Sequence, residues 1–257
     1  MKLKLNRWRA LMDYFTRLDQ IENYINKMGR VSTVDLSKKF KVSEQTIRKN
    51  LSELEKEDLI TRIHGGAKKK SGFKDRLEIN KASKKKLCQE VAKLLSREDV
   101  VFLDGGTTYY YLPDFVDTDL NCKFITFSTL LAQKLIEAKH KNVYLLGGLI
   151  NPNTLETFSY EALEMIRQMH FNLAFFGTSN FSLEYGFTEQ NLTNLKLKQV
   201  VRERAEFAAV VTTKNKFGSN AMSKLFDYSE LDLLITESFD NETINQALAN
   251  KIKLVQV

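Results

Sequence analysis

Two short runs of apolar residues at helical spacing lie between residues 31 and 56, separated by a turn at residues 41 and 42. This pattern predicts two amphipathic helices, each of which buries one face. Ser32 or Thr33 is placed to cap the first helix and Ser43 the second, because a side-chain oxygen at the cap accepts a backbone N–H. The predicted inward-facing residues are Leu36 and Phe40 in the first helix and Ile47, Leu51 and Leu54 in the second.

A hairpin is predicted to follow the second helix. The residues from Leu59 to Ile63 favour a strand, and His64-Gly65-Gly66 favours a turn. Two helices, a tight turn and a hairpin in this order form a winged helix-turn-helix, which places its second helix in the DNA major groove. The outward face of that helix and the hairpin carry short polar groups and cations, which contact base edges and phosphates. We therefore expect DNA contacts from Gln45, Thr46, Arg48, Lys49, Lys68, Lys69 and Lys70.

The pattern changes near residue 84, where short apolar runs begin to alternate with helical periods. Strands are predicted over 100–106, 123–128, 143–148, 172–179, 206–213 and 231–236, and helices over 84–98, 129–140, 161–170, 192–205 and 241–251. This alternation predicts an α/β fold with a mostly parallel sheet between helices. The predicted organisation is a DNA-binding domain over 1–70, a polar linker over 71–83 and an α/β domain over 84–257.

Polar residues and glycines follow several of the predicted strands. Ligands bind at the carboxyl ends of parallel strands, where glycines admit an anion to backbone N–H groups, threonines offer hydroxyls and a lysine pairs with phosphate. Tight strand-to-helix turns use the same residues for structural reasons, and each residue alone is open to that reading. Together they predict one anion-accepting site. The candidates are Asp104, Gly105, Gly106, Thr107, Thr108, Ser128, Gly147, Gly148 and Lys216.

Charge is distributed unevenly along the chain. Residues 1–75 hold 18 of the 39 basic residues and 10 of the 32 acidic ones, so the positive excess of the whole chain lies in this part. A basic patch confined to one domain is typical of a nucleic-acid-binding protein. A set of basic residues kept only for solubility would not explain this asymmetry.

Several classes of protein are disfavoured by composition. No apolar run reaches the ~18 residues of a membrane span, and the N-terminal residues lack the pattern of a signal peptide. Cys88 and Cys122 match no metal or redox spacing, so we expect two buried thiols, no metal site and no cofactor. These features predict a cytoplasmic protein without a membrane partner.

Taken together, these residues resemble the DeoR family of bacterial transcription regulators over nearly the whole chain. The resemblance implies an operator DNA partner and a homo-oligomer, and it adds Ser43, Arg62 and His64 to the expected DNA-binding residues. Lys49 and Asn50 depart from the Arg and Asp that are usual in the family. The matching N-terminal residues are Arg17, Ile21, Gly29, Leu36, Phe40, Val42, Ser43, Thr46, Ile47, Arg48, Leu51, Leu54, Arg62, His64, Gly65, Gly66 and Ala67.

The C-terminal half looks like the family's sensor domain, which is similar to ribose-phosphate isomerases. The resemblance implies a phosphorylated sugar effector and adds Lys198 to the effector-binding candidates. Further matches are Thr126, Gly177, Gly186, Thr188, Phe217 and Gly218, beside the strand-end residues above. The departures are Phe127 for Asn, Asn151 for a basic residue, Ser159 for Gly, Asn194 for Glu and Thr213 for Asp. We expect Phe127 to narrow the pocket or stack on a ligand, and Asn151 to weaken phosphate binding.

The leading interpretation is a DNA-binding repressor of a sugar-use operon that responds to a phosphorylated sugar. The alternative is a sugar-phosphate isomerase or related hydrolase with an N-terminal appendage. Isomerisation needs a carboxylate base, and Asp104 is the only obvious carboxylate at a predicted strand end, which disfavours this alternative. A third interpretation, a winged helix used for protein contacts, is disfavoured by the basic charge of residues 1–75.

Overall fold

The structure is a computed structural model that describes residues 16–56, 60–69 and 73–257. The chain divides into two compact units, Met1–Ser71 and Gly72–Val257. Each unit has its own hydrophobic core. Lys70, one of the predicted DNA contacts, lies outside the described residues.

The first unit is the predicted winged helix-turn-helix. Residues 16–28 form α1. The other elements are β1 (Arg30–Ser32), α2 (Thr33–Phe40), α3 (Glu44–Lys56), β2 (Ile60–Ile63) and β3 (Gly66–Lys69). The three strands form an antiparallel sheet in the order β1-β3-β2. All of the predicted inward-facing residues pack into one core with Ile21 and Ile25 of α1, with Phe40 partly buried at its edge.

Local chemistry fixes the ends of α2 and the edge of the wing. Ser32 caps α2, because its Oγ accepts the Asp35 N–H at 3.0 Å. Lys41 ends the helix in the left-handed region with φ of 53°. A Cβ on Gly66 would lie 2.1 Å from the carbonyl oxygen of Val31. Only glycine at position 66 therefore allows β3 to pair so closely with β1. The strand β1 is not predicted by sequence periodicity.

The second unit is built on a seven-stranded parallel sheet in the order β15-β14-β12-β9-β4-β5-β6. Its strands are β4 (Val100–Leu103), β5 (Lys123–Thr126), β6 (Asn142–Leu145), β9 (Phe171–Phe176), β12 (Ala205–Val211), β14 (Leu233–Thr236) and β15 (Leu254–Gln256). The helices are α4 (Phe73–Glu78), α5 (Lys81–Ala92), α6 (Thr129–Glu137), α7 (Tyr160–Arg167), α8 (Leu192–Glu203) and α9 (Glu242–Ala249). Two hydrophobic clusters cover the two faces of the sheet. This arrangement confirms the predicted mostly parallel α/β fold.

Smaller antiparallel sheets add to this frame. One is a hairpin of β7 (Leu149–Asn151) and β8 (Glu156–Phe158), and the other joins β10 (Asn180–Ser182), β11 (Gly186–Glu189) and β13 (Ser223–Phe226). The sequence pattern did not predict these strands. Most of the predicted linker over 71–83 is also helical, since α4 begins at Phe73 and α5 at Lys81.

Candidate DNA interface and ligand site

The second helix of the motif, α3, presents a polar face to solvent. The N–H of Thr46 donates to Ser43 Oγ at 3.1 Å, which satisfies one of the free donors at the start of the helix. The hydroxyls of Ser43 and Thr46 are also hydrogen-bonded to each other at 2.9 Å. Gln45, Arg48 and Lys49 are exposed. The helix therefore has the amphipathic face that major-groove binding requires.

Arg48 is paired within its own helix. Its Nη2 lies 3.2 Å from Glu44 Oε2, and the two side chains are 62% and 44% exposed. An exposed pair of this kind contributes about 0.3–0.5 kcal/mol, so the guanidinium can exchange Glu44 for a DNA acceptor at little cost.

The wing carries a second group of exposed cations. Arg62 and His64 lie on β2 and the turn, and Lys68 and Lys69 lie on β3; all four are exposed. Arg30 of β1 is the register partner of Lys68, so the two basic side chains share one face of the sheet. Arg30 was missed at the sequence level because the pairing of β1 with β3 joins residues far apart in the chain.

Asn50 lies on the buried side of α3 rather than on the polar face. Its Oδ1 accepts a hydrogen bond from Arg17 Nε at 3.3 Å, which ties α3 to α1. Within the described residues its Nδ2 has no hydrogen-bond partner. Asn50 is therefore part of the domain's internal packing.

In the second unit, the carboxyl ends of the central strands surround a buried charge cluster. Lys198 of α8 lies 2.8 Å from Asp104 Oδ2 and 2.7 Å from Glu189 Oε2. The three side chains are only 5%, 2% and 8% exposed. The Asp104 carboxylate also accepts the N–H groups of Gly105 at 2.8 Å and Gly177 at 2.6 Å. Each oxygen of Asp104 is thus engaged with a neighbour.

The ion pairs dominate the protonation of this cluster. Burial raises the pKa of Glu189, but the charge and hydrogen bond of Lys198 outweigh it and hold that pKa at about 2. Burial likewise lowers the pKa of Lys198, while Asp104 and Glu189 together raise it above its ordinary value. Glu189 and Lys198 therefore stay ionised as a buried pair.

A third carboxylate, that of Glu156, lies against the Gly105 backbone. A Cβ on Gly105 would be 2.3 Å from Glu156 Oε1. Asn194 Nδ2 donates to Glu156 Oε2 at 2.8 Å. Burial, followed by the charge of Asp104, raises the pKa of Glu156. The resemblance places a Glu at 194; here an amide stands at that position and contacts a carboxylate from β8.

The turn after β4 offers unused hydrogen-bond donors. Among the hydrogen bonds of the described residues, none engages the N–H groups of Gly106, Thr107 or Thr108. Lys216, after β12, is half-buried, and its Nζ donates to the carbonyl of Thr178 at 3.0 Å. Burial and the nearby charge of Lys198 lower the pKa of Lys216.

Other predicted ligand residues have mainly structural contacts. Ser128 is buried, and its Oγ caps α6 by accepting the Leu131 N–H at 3.3 Å. Gly147 and Gly148 lie at the exposed bend between β6 and β7, where Gly148 packs against the backbone of Phe158.

The expectation for Phe127 is wrong. Its ring is fully buried in the core, with its centroid 5.9 Å from that of Phe102, so it neither narrows a pocket nor faces a ligand. Successive side chains of an extended segment point to opposite faces of a sheet. Directly after β5, the side chain that points into the core is that of Phe127.

The structure places more carboxylates near the site than the sequence predicts. Asp104 is the only obvious carboxylate at a predicted strand end, but the fold brings Glu156 and Glu189 close to it. Both lie on short strands of the small antiparallel sheets. The spacing of Glu189 and Lys198 along the chain was the one sequence signal that could have linked them, since α8 follows directly after β11.

Comparison with known proteins identifies both units. The profile of the DeoR C terminal sensor domain matches residues 79–238, and that of the DeoR-like helix-turn-helix domain matches residues 17–72. The chain belongs to the DeoR family. Within the described residues, no helix of this DeoR-family chain is long and apolar enough to cross a membrane.

Three relatives in the DeoR family cover most of the chain. The transcriptional regulator FruR of Bacillus subtilis is 32% identical over 87% of this chain and 91% of its own length. GolR of Listeria innocua is 27% identical over 93% of this chain and 95% of its own length. The glycerol-3-phosphate regulon repressor of Escherichia coli is 26% identical over 91% of this chain and 95% of its own length. Ribose 5-phosphate isomerase of Methanocaldococcus jannaschii matches 54% of this chain and 55% of its own at a TM-score of 0.38 and 14% identity, a likeness too weak to support an argument.

Proposed function

We propose that this DeoR-family protein is a sequence-specific repressor of a sugar-metabolism operon and that a phosphorylated sugar controls its affinity for DNA. The observation that carries the proposal is the pairing of an exposed basic face, on α3 and the wing, with a separate unit that contains a polar site at strand ends. The name of the glycerol-3-phosphate regulon repressor supports the repressor role and the sugar-phosphate class. The predicted place of action is the cytoplasm.

The DNA-binding part of the proposal assigns roles by side-chain chemistry. Gln45, Thr46 and Arg48 contact base edges or adjacent phosphates from the start of α3. Ser43, Lys49, Arg62 and His64 contact the DNA backbone around the groove, and Lys68, Lys69 and Lys70 contact phosphates from the wing. Within the described residues, all of these side chains are exposed except that of Thr46, which is half-buried, and this supports the assignment. Lys70 is included on its sequence position alone.

The effector part rests on the strand-end site. The free N–H groups of Gly106, Thr107 and Thr108 suit an anion, and Lys216 supplies a positive charge nearby. Asp104 and Lys198 shape the floor of the site through their ion pair. No catalytic residue is proposed, because each carboxylate near the site already has a partner: Asp104 and Glu189 share Lys198, and Glu156 accepts the Asn194 amide.

A homo-oligomer is part of the proposal. Strand β6 is an edge of the seven-stranded sheet, and exposed apolar side chains lie on it and on the following hairpin: Tyr144, Leu145, Leu149 and Ile150. Large exposed apolar patches commonly mark interfaces between chains. Sedimentation of Leu149→Glu tests this, with Met222→Glu, at another exposed apolar residue, as control. A wild-type monomer, or an unchanged mass for Leu149→Glu, would contradict it.

Two experiments test the function directly. Genome-wide mapping of bound DNA sites should find operators beside sugar-metabolism genes, and a distribution without such neighbours would contradict the proposal. A calorimetric screen of hexose and pentose phosphates should then find one that binds and releases the operator. Thr107→Ala and Lys216→Ala should weaken that binding; a sugar phosphate that binds equally well to both variants would refute the assigned pocket.

A further inference from the structure

The turn proposed to accept an anion already has a negative neighbour. Glu156 Oε1 lies over the Cα of Gly105, so close that a Cβ there would be 2.3 Å away. Gly105 directly precedes Gly106, Thr107 and Thr108, whose N–H groups have no hydrogen-bond partner in the part of the chain that the structure describes. A carboxylate at this place repels any anion that approaches these donors, since like charges within about 4–6 Å disfavour each other.

The surroundings hold Glu156 in this place. Asn194 donates to one carboxylate oxygen at 2.8 Å, and β8 is anchored because the N–H of Thr157 donates to the carbonyl of Phe127 at 2.8 Å. Ser128 also bridges to Glu156 through the backbone. The carboxylate is therefore built into the site and does not rest there by chance rotation of an exposed side chain.

No cation compensates this charge from the neighbouring strand. Asn151 is the register partner of Glu156 in the β7–β8 pair, and it is a neutral amide. The remaining charged groups that face Glu156 are Asp104, which repels it, and Lys198, which is already paired with Asp104 and Glu189.

We propose that Glu156 is a specificity-determining residue of the effector site, which lowers the affinity of the Gly105–Thr108 turn for dianions. The proposal rests on the function proposed above. It implies that a phosphate group binds at this turn together with a proton taken up by Glu156. The sensor is thereby tuned against inorganic phosphate and toward ligands whose hydroxyl groups donate to Glu156.

Sulfate is a suitable probe, because it is a tetrahedral dianion that does not titrate in the range used. Binding to the full-length protein is measured by calorimetry at constant ionic strength, for the wild type and for Glu156→Gln. Gln keeps an oxygen that accepts the Asn194 amide but has no charge. Near pH 7.5, Glu156→Gln should bind sulfate about tenfold or more tightly, the effect of removing one close like charge. Glu184→Gln makes the same change of net charge at an exposed turn and should match the wild type.

Proton uptake provides a second readout that a merely structural role would not change. The wild type should take up protons when it binds sulfate, seen as a dependence of the heat on the ionisation enthalpy of the buffer, and Glu156→Gln should lose this uptake. Its advantage should also shrink toward pH 5, as the wild-type carboxyl becomes protonated. Equal sulfate affinities with no linked proton would overturn the role of Glu156 and leave the anion site intact. Absence of binding to both proteins would overturn the anion site itself.

Discussion

Asn151 lies directly opposite Glu156 in the antiparallel β7–β8 pair. Cross-strand partners have Cβ atoms about 4.5–5.5 Å apart on the same face of the sheet. The resemblance places a basic residue at 151, where it would face a carboxylate and an anion-binding turn at once. Asparagine at 151 therefore has two effects: it leaves the charge of Glu156 without a cation opposite it, and it removes a positive charge that could attract an anionic ligand.

The first prediction is that Asn151→Lys increases the affinity for an anion. A lysine at 151 offsets the Glu156 charge and adds a donor, and a hydrogen bond to a charged group contributes roughly 1.5–3 kcal/mol. Calorimetric titration with sulfate should show a gain of about tenfold. Asn153→Lys adds the same charge at the exposed end of the hairpin. An equal gain in both variants would show that the effect is general electrostatics.

Lys198→Ala should destabilise the sensor domain strongly. The substitution leaves Asp104 and Glu189 buried without their cation, and breaking a buried ion pair on one side costs about 3–5 kcal/mol. Urea unfolding of the sensor domain measures the loss. Lys196→Ala, an exposed change on the same helix, should lose less than about 0.5 kcal/mol. Similar losses of unfolding free energy in the two variants would contradict the proposed contribution of the charge cluster to stability.

Acid should weaken the same domain through Glu189. The folded-state pKa of Glu189 is about 2, below its ordinary value of 4.5, so the folded state binds this proton more weakly than the unfolded chain does. The linked stabilisation is complete above about pH 4.5 and is lost as the pH falls toward 2; its size is about 3 kcal/mol. Unfolding free energies measured across this range should fall more steeply for the wild type than for Glu189→Gln. Parallel curves would contradict the linkage.

Arg48→Ala should weaken operator binding by about 1–3 kcal/mol if the guanidinium pairs with a guanine. The exposed pair with Glu44 contributes too little to hold Arg48 away from DNA. Fluorescence anisotropy with a mapped operator measures the change, and circular dichroism checks that the domain remains folded. Lys93→Ala removes a charge from the sensor domain and should leave affinity unchanged. Unaltered binding by a folded Arg48→Ala would refute the assignment.

The wing lysines should act on all DNA sequences alike. Lys68 and Lys69 are exposed on β3 and lack the planar geometry that reads bases. Replacing Lys68, Lys69 and Lys70 by alanine should flatten the plot of log affinity against log salt concentration by up to about 0.9 per lost phosphate contact. The ratio of operator to random DNA affinity should stay the same. A salt slope equal to that of the wild type would show that the wing does not touch DNA.

Local periodicity was enough to predict much of the fold. The inward faces of α2 and α3 and the six principal strands of the sheet follow from apolar residues at spacings that each element imposes on its own neighbours. The caps could be predicted for the same reason, Ser43 alone and Ser32 as one of two candidates beside Thr33, since a cap accepts an N–H only three residues away. These features depend on interactions that are short in sequence.

The tertiary structure decided what periodicity could not. Lys198, Asp104 and Glu189 meet because the middle of α8 lies against the ends of β4 and β11. Glu156 joins them from the short strand β8, which the sequence pattern did not predict. Phe127 turned toward the core because the pleat of β5 determines the side on which each residue lies. The sequence by itself therefore determined the principal helices and strands, the basic first unit and the family. The set of residues that forms the ligand site depended on pairing between segments far apart in the chain. The register of such pairing cannot be read from the spacing of neighbouring residues.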